Sequence, residues 1–348
     1  IEERDWSSDV CSSDLKTIAK LLVVAAVAGV ALAGIADDFE AWAHKYGKTY
    51  ATAEEREQRL RVFEENVRLI ARKNAESAGE RYAVNAFADM TEAELARRFT
   101  SRTLQKGLST LGMPSVRARP ADAARLPKQF DWVEKGAVSP VKNQKSCGSC
   151  WAFGAVGTME GQWFLRTGKL AEFSEQNLVD CDHECMVFPG STEEDCDSGC
   201  DGGMEPTAFQ YVIKNNGIML RSDYPYTGRV GKCKFDPARV VGHFSNWTFV
   251  TVDHEDDLRQ YLYDNGPVSV GVHADEWFYY SGGVFNSTCR TENDHAVLLT
   301  GWGEDANGTP YWIIKNSWDT TWGIDGYIHL YRGNNKCGIL EMMSQIHP

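Results

Sequence analysis

The sequence predicts an α+β chain whose main body has two lobes with a cleft between them, preceded by a helical segment. Three observations carry this. Residues before Leu126 hold an amphipathic helical period. From Cys150 to Asn216 the texture stays helical, and beyond Val240 it turns strand-like. Helices followed by strands, each with an apolar face to bury, give segregated layers and not an alternating α/β wrap.

In chain order, Ile1–Leu15 (IEERDWSSDVCSSDL) has no apolar period and resembles a translated sequencing adapter, so it is set aside together with Cys11. Lys16 and Lys20 then precede an apolar run from Leu21 to Leu32, closed by Ala31-Leu32-Ala33. The run is shorter than the roughly 20 residues of a membrane span, and small residues stand where a signal peptidase reads, so 16–33 is expected to be a signal peptide. Secretory entry implies an oxidising compartment, with a lysosome, a vacuole or the cell exterior as destination. Two helical stretches follow. DFEAWAHKYGK is stopped by Gly47; a second helix from about Ala53 to Asn74 lines Leu60, Phe63, Val67 and Ile70 on one face. YAVNAFADMTEAEL reads as a short strand, then a short helix capped by Thr91. The stretch 101–125, rich in Ser, Gly, Pro and Arg, reads as a linker open to proteolysis.

In the main body a helix is expected over Cys150–Arg166, stopped at Thr167-Gly168, with Gly154, Gly157 and Gly161 allowing a neighbour to approach closely. Ser174 is the N-cap of a second helix, and Met204–Asn216, closed by Gly217, forms a third. SNWTFVTV, GPVSVGVHA, HAVLLTGWG, YWIIKNSW and GYIHLYRG then read as strands.

The apolar share of 43% is that of a globular protein, and the formal charge of -13 argues against nucleic acid as a partner. Charge is unevenly spread. Lys16–Arg125 carries 18 basic against 14 acidic residues, whereas Leu126 onward carries 17 against 30, so the two parts attract each other. Without Cys11 nine cysteines remain. No second short-spaced pair accompanies Cys147 and Cys150 to make a zinc site, and no βαβ pattern surrounds them as in a redox pair. One thiol and four bridges is the simplest account. No metal or other cofactor is expected.

Cys147-Gly148-Ser149-Cys150-Trp151 resembles the nucleophile segment of the papain and cathepsin family of cysteine proteases. The resemblance runs over nearly the whole chain after the signal segment. Glu55, Arg59, Phe63, Asn66, Ile70 and Asn74 match the helical signature of the family's inhibitory propeptide, and Asn85, Phe87 and Asp89 its second motif. It implies a papain-like fold, with a helical left lobe and a β-barrel-like right lobe flanking the cleft. The implied domains are an inhibitory prodomain over 34–125 and a peptidase domain over 126–348, made as a zymogen. A helix N-terminus and a nearby imidazolium would stabilise the Cys150 thiolate.

By the same resemblance His295, in Asn293-Asp294-His295-Ala296-Val297, is the base, and Asn316 orients it beneath Trp318. Gln144 supplies the side-chain donor of the oxyanion hole. Gly202, Gly203, Met204, Gly271, Asn293, Asp294, Trp318 and Met342 are implied to bind substrate, with an apolar pocket for the second substrate position (P2). Family pairing implies disulfides Cys147–Cys200, Cys181–Cys233 and Cys289–Cys337, leaving Cys185 with Cys196 in an extra loop that resembles plant vacuolar and cathepsin F-like members. Implied partners are protein and peptide substrates, the chain's own propeptide and cystatin-like inhibitors, with the enzyme acting as a monomer. Asn246, Asn286 and Asn307 stand in Asn-x-Ser/Thr as glycosylation candidates. Departures from the family pattern are Gly154 in place of Ser, Asp201 in place of Asn, and Asp319 in place of Gly.

Two other readings compete. A non-enzymatic papain-like binder would have lost one of Cys150, His295, Asn316 and Gln144, and all are present. An exopeptidase of the cathepsin B type carries its blocking loop and paired histidines after the Cys-x-Gly-Gly element, whereas the insertion here precedes Cys200 and holds only His183.

Overall fold

The computed structural model describes residues 34–99, 112–122, 125–188 and 191–348. The expected adapter and signal segments and most of the expected linker lie outside them. The chain divides into two compact units, parting between Arg68 and Leu69. Helices are α1 (34–45), α2 (Ala53–Glu76), α3 (Glu92–Phe99), α4 (Cys150–Thr167), α5 (Glu175–Cys181), α6 (Glu205–Lys214) and α7 (Glu255–Asn265). No helix among the described residues is long and apolar enough to cross a membrane.

In the first unit Phe39 and Trp42 of α1 pack on Phe63 of α2, with ring centroids 5.4 and 5.1 Å apart. The apolar period of α2 is therefore used, and its last turns serve the second unit. There Ile70 joins the core, and the Asn74 side chain holds Tyr82 by both backbone groups, at 2.8 and 2.9 Å.

The second unit is built on a nine-stranded sheet with two apolar cores. Eight strands run in the order Val284–Phe285, Tyr327–Tyr331, Pro310–Lys315, His295–Glu304, Val268–Val272, Met343–His347, Asn246–Thr251 and Ser115–Arg117; Phe130–Asp131 pairs beside His295–Glu304. One core, around Trp277, Trp302, Trp312 and Trp322, sits within the sheet region. The other, around Trp151, Phe173, Phe188 and Phe209, lies among α4, α5 and α6. Each such side chain, fully buried, is worth roughly 1.5–3 kcal/mol or more.

Helix α4 joins the two. Ala152, Ala155, Val156 and Met159 enter the helical core, while the glycines face the sheet. A Cβ on Gly154 would stand 2.7 Å from Ser269 Oγ, on Gly157 3.0 Å from Leu298 Cδ2, and on Gly161 3.0 Å from Pro267 Cδ. Three glycines inside a helix cost roughly 0.5–1 kcal/mol each against Ala, and the close seam is what they permit. Gly168 ends the helix at φ 70°, its N–H donating to Phe164 O at 2.8 Å.

Three expectations need correction. The linker holds a strand: Ser115–Arg117 pairs in parallel with Asn246–Thr251, a partner more than a hundred residues away. The strand expected in YAVNAFADM is two residues, Arg81–Tyr82, after which the chain turns. Helix α7, opened by a His254–Asp257 capping box, interrupts the strand-rich half. Four disulfides close the second unit: Cys147–Cys200, Cys181–Cys233, Cys185–Cys196 and Cys289–Cys337.

The seam yields a test. Gly157→Val forces β-branched volume against Leu298, and overpacking of this kind costs about 1–3 kcal/mol. The urea midpoint of the full chain is expected to fall accordingly; an unchanged midpoint would show that the helix does not need the glycine to lie against the sheet.

Candidate active site

Cys150 is the first residue of α4, fully buried, and keeps its thiol where every other cysteine among the described residues is in a disulfide. The Cys147–Cys200 bridge anchors the turn before it, and Ser149 Oγ meets the Tyr226 hydroxyl at 2.7 Å. The thiol therefore stands at the positive end of an 18-residue helix, where a thiolate is favoured.

His295 opens its strand opposite Val272, and the next strand, Pro310–Lys315, runs back antiparallel with Lys315 opposite Leu298. That register delivers Asn316 to His295. Asn316 Oδ1 accepts from His295 Nε2 at 2.8 Å, which puts the ring proton on Nε2. Nδ1 is fully buried, and its lone pair is the one that can accept a proton. Trp318 stacks on the imidazole with centroids 4.9 Å apart. Burial pushes the imidazole pKa down to about 4, the Asn316 and Phe99 hydrogen bonds opposing it.

Gln144 is fully buried and held from both sides: Ser317 Oγ donates to its Oε1 at 2.7 Å, and its own N–H donates to Ser317 O at 2.8 Å. Its Nε2 donates to Cys147 O at 3.0 Å and to Phe99 O at 3.4 Å. Phe99, the last residue of α3, comes from the stretch ahead of Leu126. With Phe87 it packs on Phe278 and Trp318, the ring centroids of Phe87 and Phe99 lying 4.8 Å apart and those of Phe99 and Trp318 6.0 Å apart. Asn85 donates to Phe278 O at 2.7 Å and holds this stretch in place.

The expected pocket residues come together. Gly271 N donates to Met342 O at 2.8 Å, and a Cβ on Gly271 would collide with Asn293 Nδ2. Met204 and Met342 share the helical core. Gly202 has φ 119°, and a Cβ on Gly203 would strike the Trp151 ring at 2.6 Å, so both positions need glycine. Asp294 is turned to its own strand end, accepting from Ala274 N at 2.9 Å and lying 3.2 Å from His273 Nδ1; burial raises it to about 7, His273 opposing. Asp319 adopts φ 76° and its side chain accepts from Asn143 at 2.9 Å, which stabilises the turn without glycine. Asn246, Asn286 and Asn307 are exposed.

Sequence reasoning missed several contributors. Glu205, beside Met204, is buried and bonded to Ser269 Oγ at 2.6 Å, in the space that Gly154 leaves without a side chain; burial raises its pKa. Lys315, next to Asn316, bonds Ser139 at 3.0 Å, and Ser139 donates to Glu160 of α4 at 2.5 Å. Lys142 bridges Glu160 and Glu175 at 2.8 Å each. These charges tie the strand end that carries Asn316 to the helix that carries Cys150. Phe99 stands between Arg98 and Thr100 in sequence, with nothing to mark it as a group over the site.

The family model for papain family cysteine proteases matches residues 126–347, and the one for the cathepsin propeptide inhibitor domain matches 39–95. This chain belongs to the papain family of cysteine proteases. Cysteine proteinase 15A of Pisum sativum is 42% identical over 318 residues, covering 88% of this chain and 85% of that protein. Cathepsin F of Drosophila melanogaster is 38% identical over 310 residues, 86% of this chain and 48% of that protein. Among solved structures, a recombinant stem bromelain precursor superposes with TM-score 0.79 at 32% identity over 90% of this chain and 99% of that one. The digestive procathepsin L 3 of Tenebrio molitor gives 0.76 at 34%, with 90% and 99% covered. The protein is thus a papain-fold cysteine protease carrying its inhibitory propeptide, a zymogen.

The buried imidazole is directly measurable. In the full chain the His295 resonances are expected to titrate near pH 4, well below the ordinary value of about 6.5. Titration near 6.5 would mean that the ring is solvated and that Phe99 does not cover it.

Proposed function

We propose that the matured enzyme is an endopeptidase in which Cys150 attacks the peptide carbonyl, His295 carries the proton to the leaving amine, Asn316 fixes the imidazole tautomer and Gln144 stabilises the oxyanion together with the Cys150 N–H. The supporting observation is the Gln144 amide. It is locked by Ser317 and turned toward Phe99 O, a peptide carbonyl lodged at the site. Met204, Gly271, Asn293 and Met342 form the P2 pocket, and Leu, Val or Phe is favoured there over Arg.

The zymogen reading extends to the route and the switch. Residues 16–33 direct the chain into the secretory pathway, 34–125 inhibit it, and 126–348 are the peptidase, a monomer open to cystatin-like inhibitors and glycosylated at some of Asn246, Asn286 and Asn307. Basic groups ahead of Leu126 meet acids of the main body: Lys73 with Glu276, Arg117 with Asp253, and Arg119 with Asp264 at 2.7 Å. Such exposed pairs are individually weak.

His295 adds a larger bias. Its pKa is depressed in the closed chain, so closure is fully favoured above about 6.5 and loses ground as pH falls toward 4. Each unit in that window favours the opened chain, which can protonate the ring, by up to about 10-fold. Asp253 is held down by Arg117, so its contribution to closure is also lost as pH falls.

Purified full-length chain is expected to stay intact at neutral pH and to shorten at about pH 4–5 to a form beginning near Leu126. That form should cleave peptides with apolar P2 residues; Cys150→Ser should do neither, and Gln144→Ala should lose about 10- to 1,000-fold in kcat. Turnover by Cys150→Ser, a P2 profile led by Arg, or full activity with the helical segment still attached would each refute the corresponding part.

A further inference from the structure

The helical region holds a pair of buried acids that the catalytic reading does not use. Asp182 caps the C-terminus of α5 three residues before Cys185, and Asp197 follows Cys196, so the two stand at the neck of the small hairpin closed by the Cys185–Cys196 bridge. Asp197 N donates to Glu184 O at 2.9 Å, which closes the neck. Both side chains are buried, Asp182 at 0% and Asp197 at 2% exposure, and the two carboxyls act on each other at close range. Their Oδ2 atoms have no other partner.

The outer oxygens are occupied. Asp182 Oδ1 accepts from Glu184 N at 2.9 Å. Asp197 Oδ1 accepts from Met204 N at 2.7 Å and from Thr207 Oγ1 at 2.8 Å, and so caps α6 from a neighbouring loop. Gly203 lies against the same oxygen, where a Cβ would come within 2.5 Å. Ser198 N to Gly202 O, at 2.8 Å, completes the loop. One carboxyl therefore fixes the backbone of Gly202–Met204.

Two adjacent buried carboxylates cannot both be ionised without a compensating cation. The titratable groups that act most strongly on the pair include Glu184, Glu205 and Tyr211, all acidic. Lys214 is paired with Glu184 at 2.6 Å. Burial first, and the repulsion of its neighbours second, holds Asp182 well above the usual carboxylate range, and burial raises Asp197 despite the bonds it accepts.

We propose that Asp182 and Asp197 share a proton and act together as a positioning pair for the substrate-binding segment Gly202–Met204, whose grip on substrate weakens when that proton is lost. The inference rests on the reading of Gly202 and Gly203 as substrate-binding. Its sign follows from the raised pKa values. The folded pair keeps a proton that an unfolded chain has released above about pH 4, so its contribution is fully present at acid pH and declines as pH rises.

The test uses matured wild-type enzyme with Asp182→Asn and Asp182→Ala, assayed for KM and kcat from pH 4.5 to 10, and with hydrogen exchange of peptides spanning 202–208 compared at equal pH. The amide introduced by Asp182→Asn would donate an N–H to Asp197 at every pH. This variant is therefore expected to hold KM flat where wild-type KM climbs, by up to about 10-fold per pH unit for one proton. Asp182→Ala is expected to raise KM at all pH values and to speed exchange at 202–208, with kcat little changed. If Asp182→Ala does not fold, Asp182→Asn carries the test alone. Superimposable KM profiles for wild type and Asp182→Asn would overturn the proposal. Altered exchange at 202–208 with KM unmoved would overturn the substrate-binding reading of the segment, and the proposal with it. The nucleophile assignment fails separately, through turnover by Cys150→Ser.

Discussion

The seam between α4 and the sheet is the constraint on which the rest of the molecule depends. A helix bearing ordinary side chains at positions 154, 157 and 161 would stand off the strands by the width of those side chains; with glycines there, Ala296, Leu298 and Pro267 fill the helix surface directly. Because α4 begins at Cys150 and the facing strand begins at His295, with Gly154 packed one turn later against Ala296, the contact that unites the two cores also brings the starts of these two elements to the same seam. The register of the following hairpin then supplies Asn316, and the Lys315–Ser139–Glu160 chain ties that strand end back to α4. The proposed catalytic geometry rests on backbone packing, with buried charges fixing what packing alone leaves loose.

A site assembled in this way is dangerous to its host until it is closed, and closure uses the same surfaces. Phe87 and Phe99 complete an aromatic cluster with Phe278 and Trp318, the residue that also covers His295. The Phe99 carbonyl takes up the Gln144 amide. Closure thereby removes water from the imidazole, and the low pKa of His295 is the electrostatic mark of that burial. Under the proposed acid switch, a histidine that prefers to open and charge and carboxylates that release their Arg partners both favour opening.

Much of this was legible in sequence because the signals were local. Ser174 capping α5, Gly168 ending α4 and the period of Leu60, Phe63, Val67 and Ile70 depend on neighbours within a few turns. The proposed catalytic residues were named through a resemblance to a family motif, since nothing in the period or spacing of the chain relates residue 150 to residue 295. What escaped was decided by distant partners. Ser115–Arg117 has no apolar alternation and is a strand only because Asn246–Thr251 presents an edge to it. Asp182, Asp197 and Glu205 look like solvated acids in a chain of net charge -13, and only the fold buries them. Phe99 is one apolar residue at a helix end until α3 carries it to Gln144.

The central claim is that packing at the seam holds Cys150 as a thiolate beside His295, and that the segment ahead of Leu126 conceals it. The most direct measurement is the pH dependence of the rate at which a small alkylating reagent labels Cys150, in the full chain and after removal of residues up to Arg125. The account predicts slow labelling in the full chain and fast labelling at Cys150 alone in the shortened one, persisting well below pH 6. Labelling that falls off below the ordinary thiol value of about 8.5, or that proceeds equally fast in both forms, would contradict it.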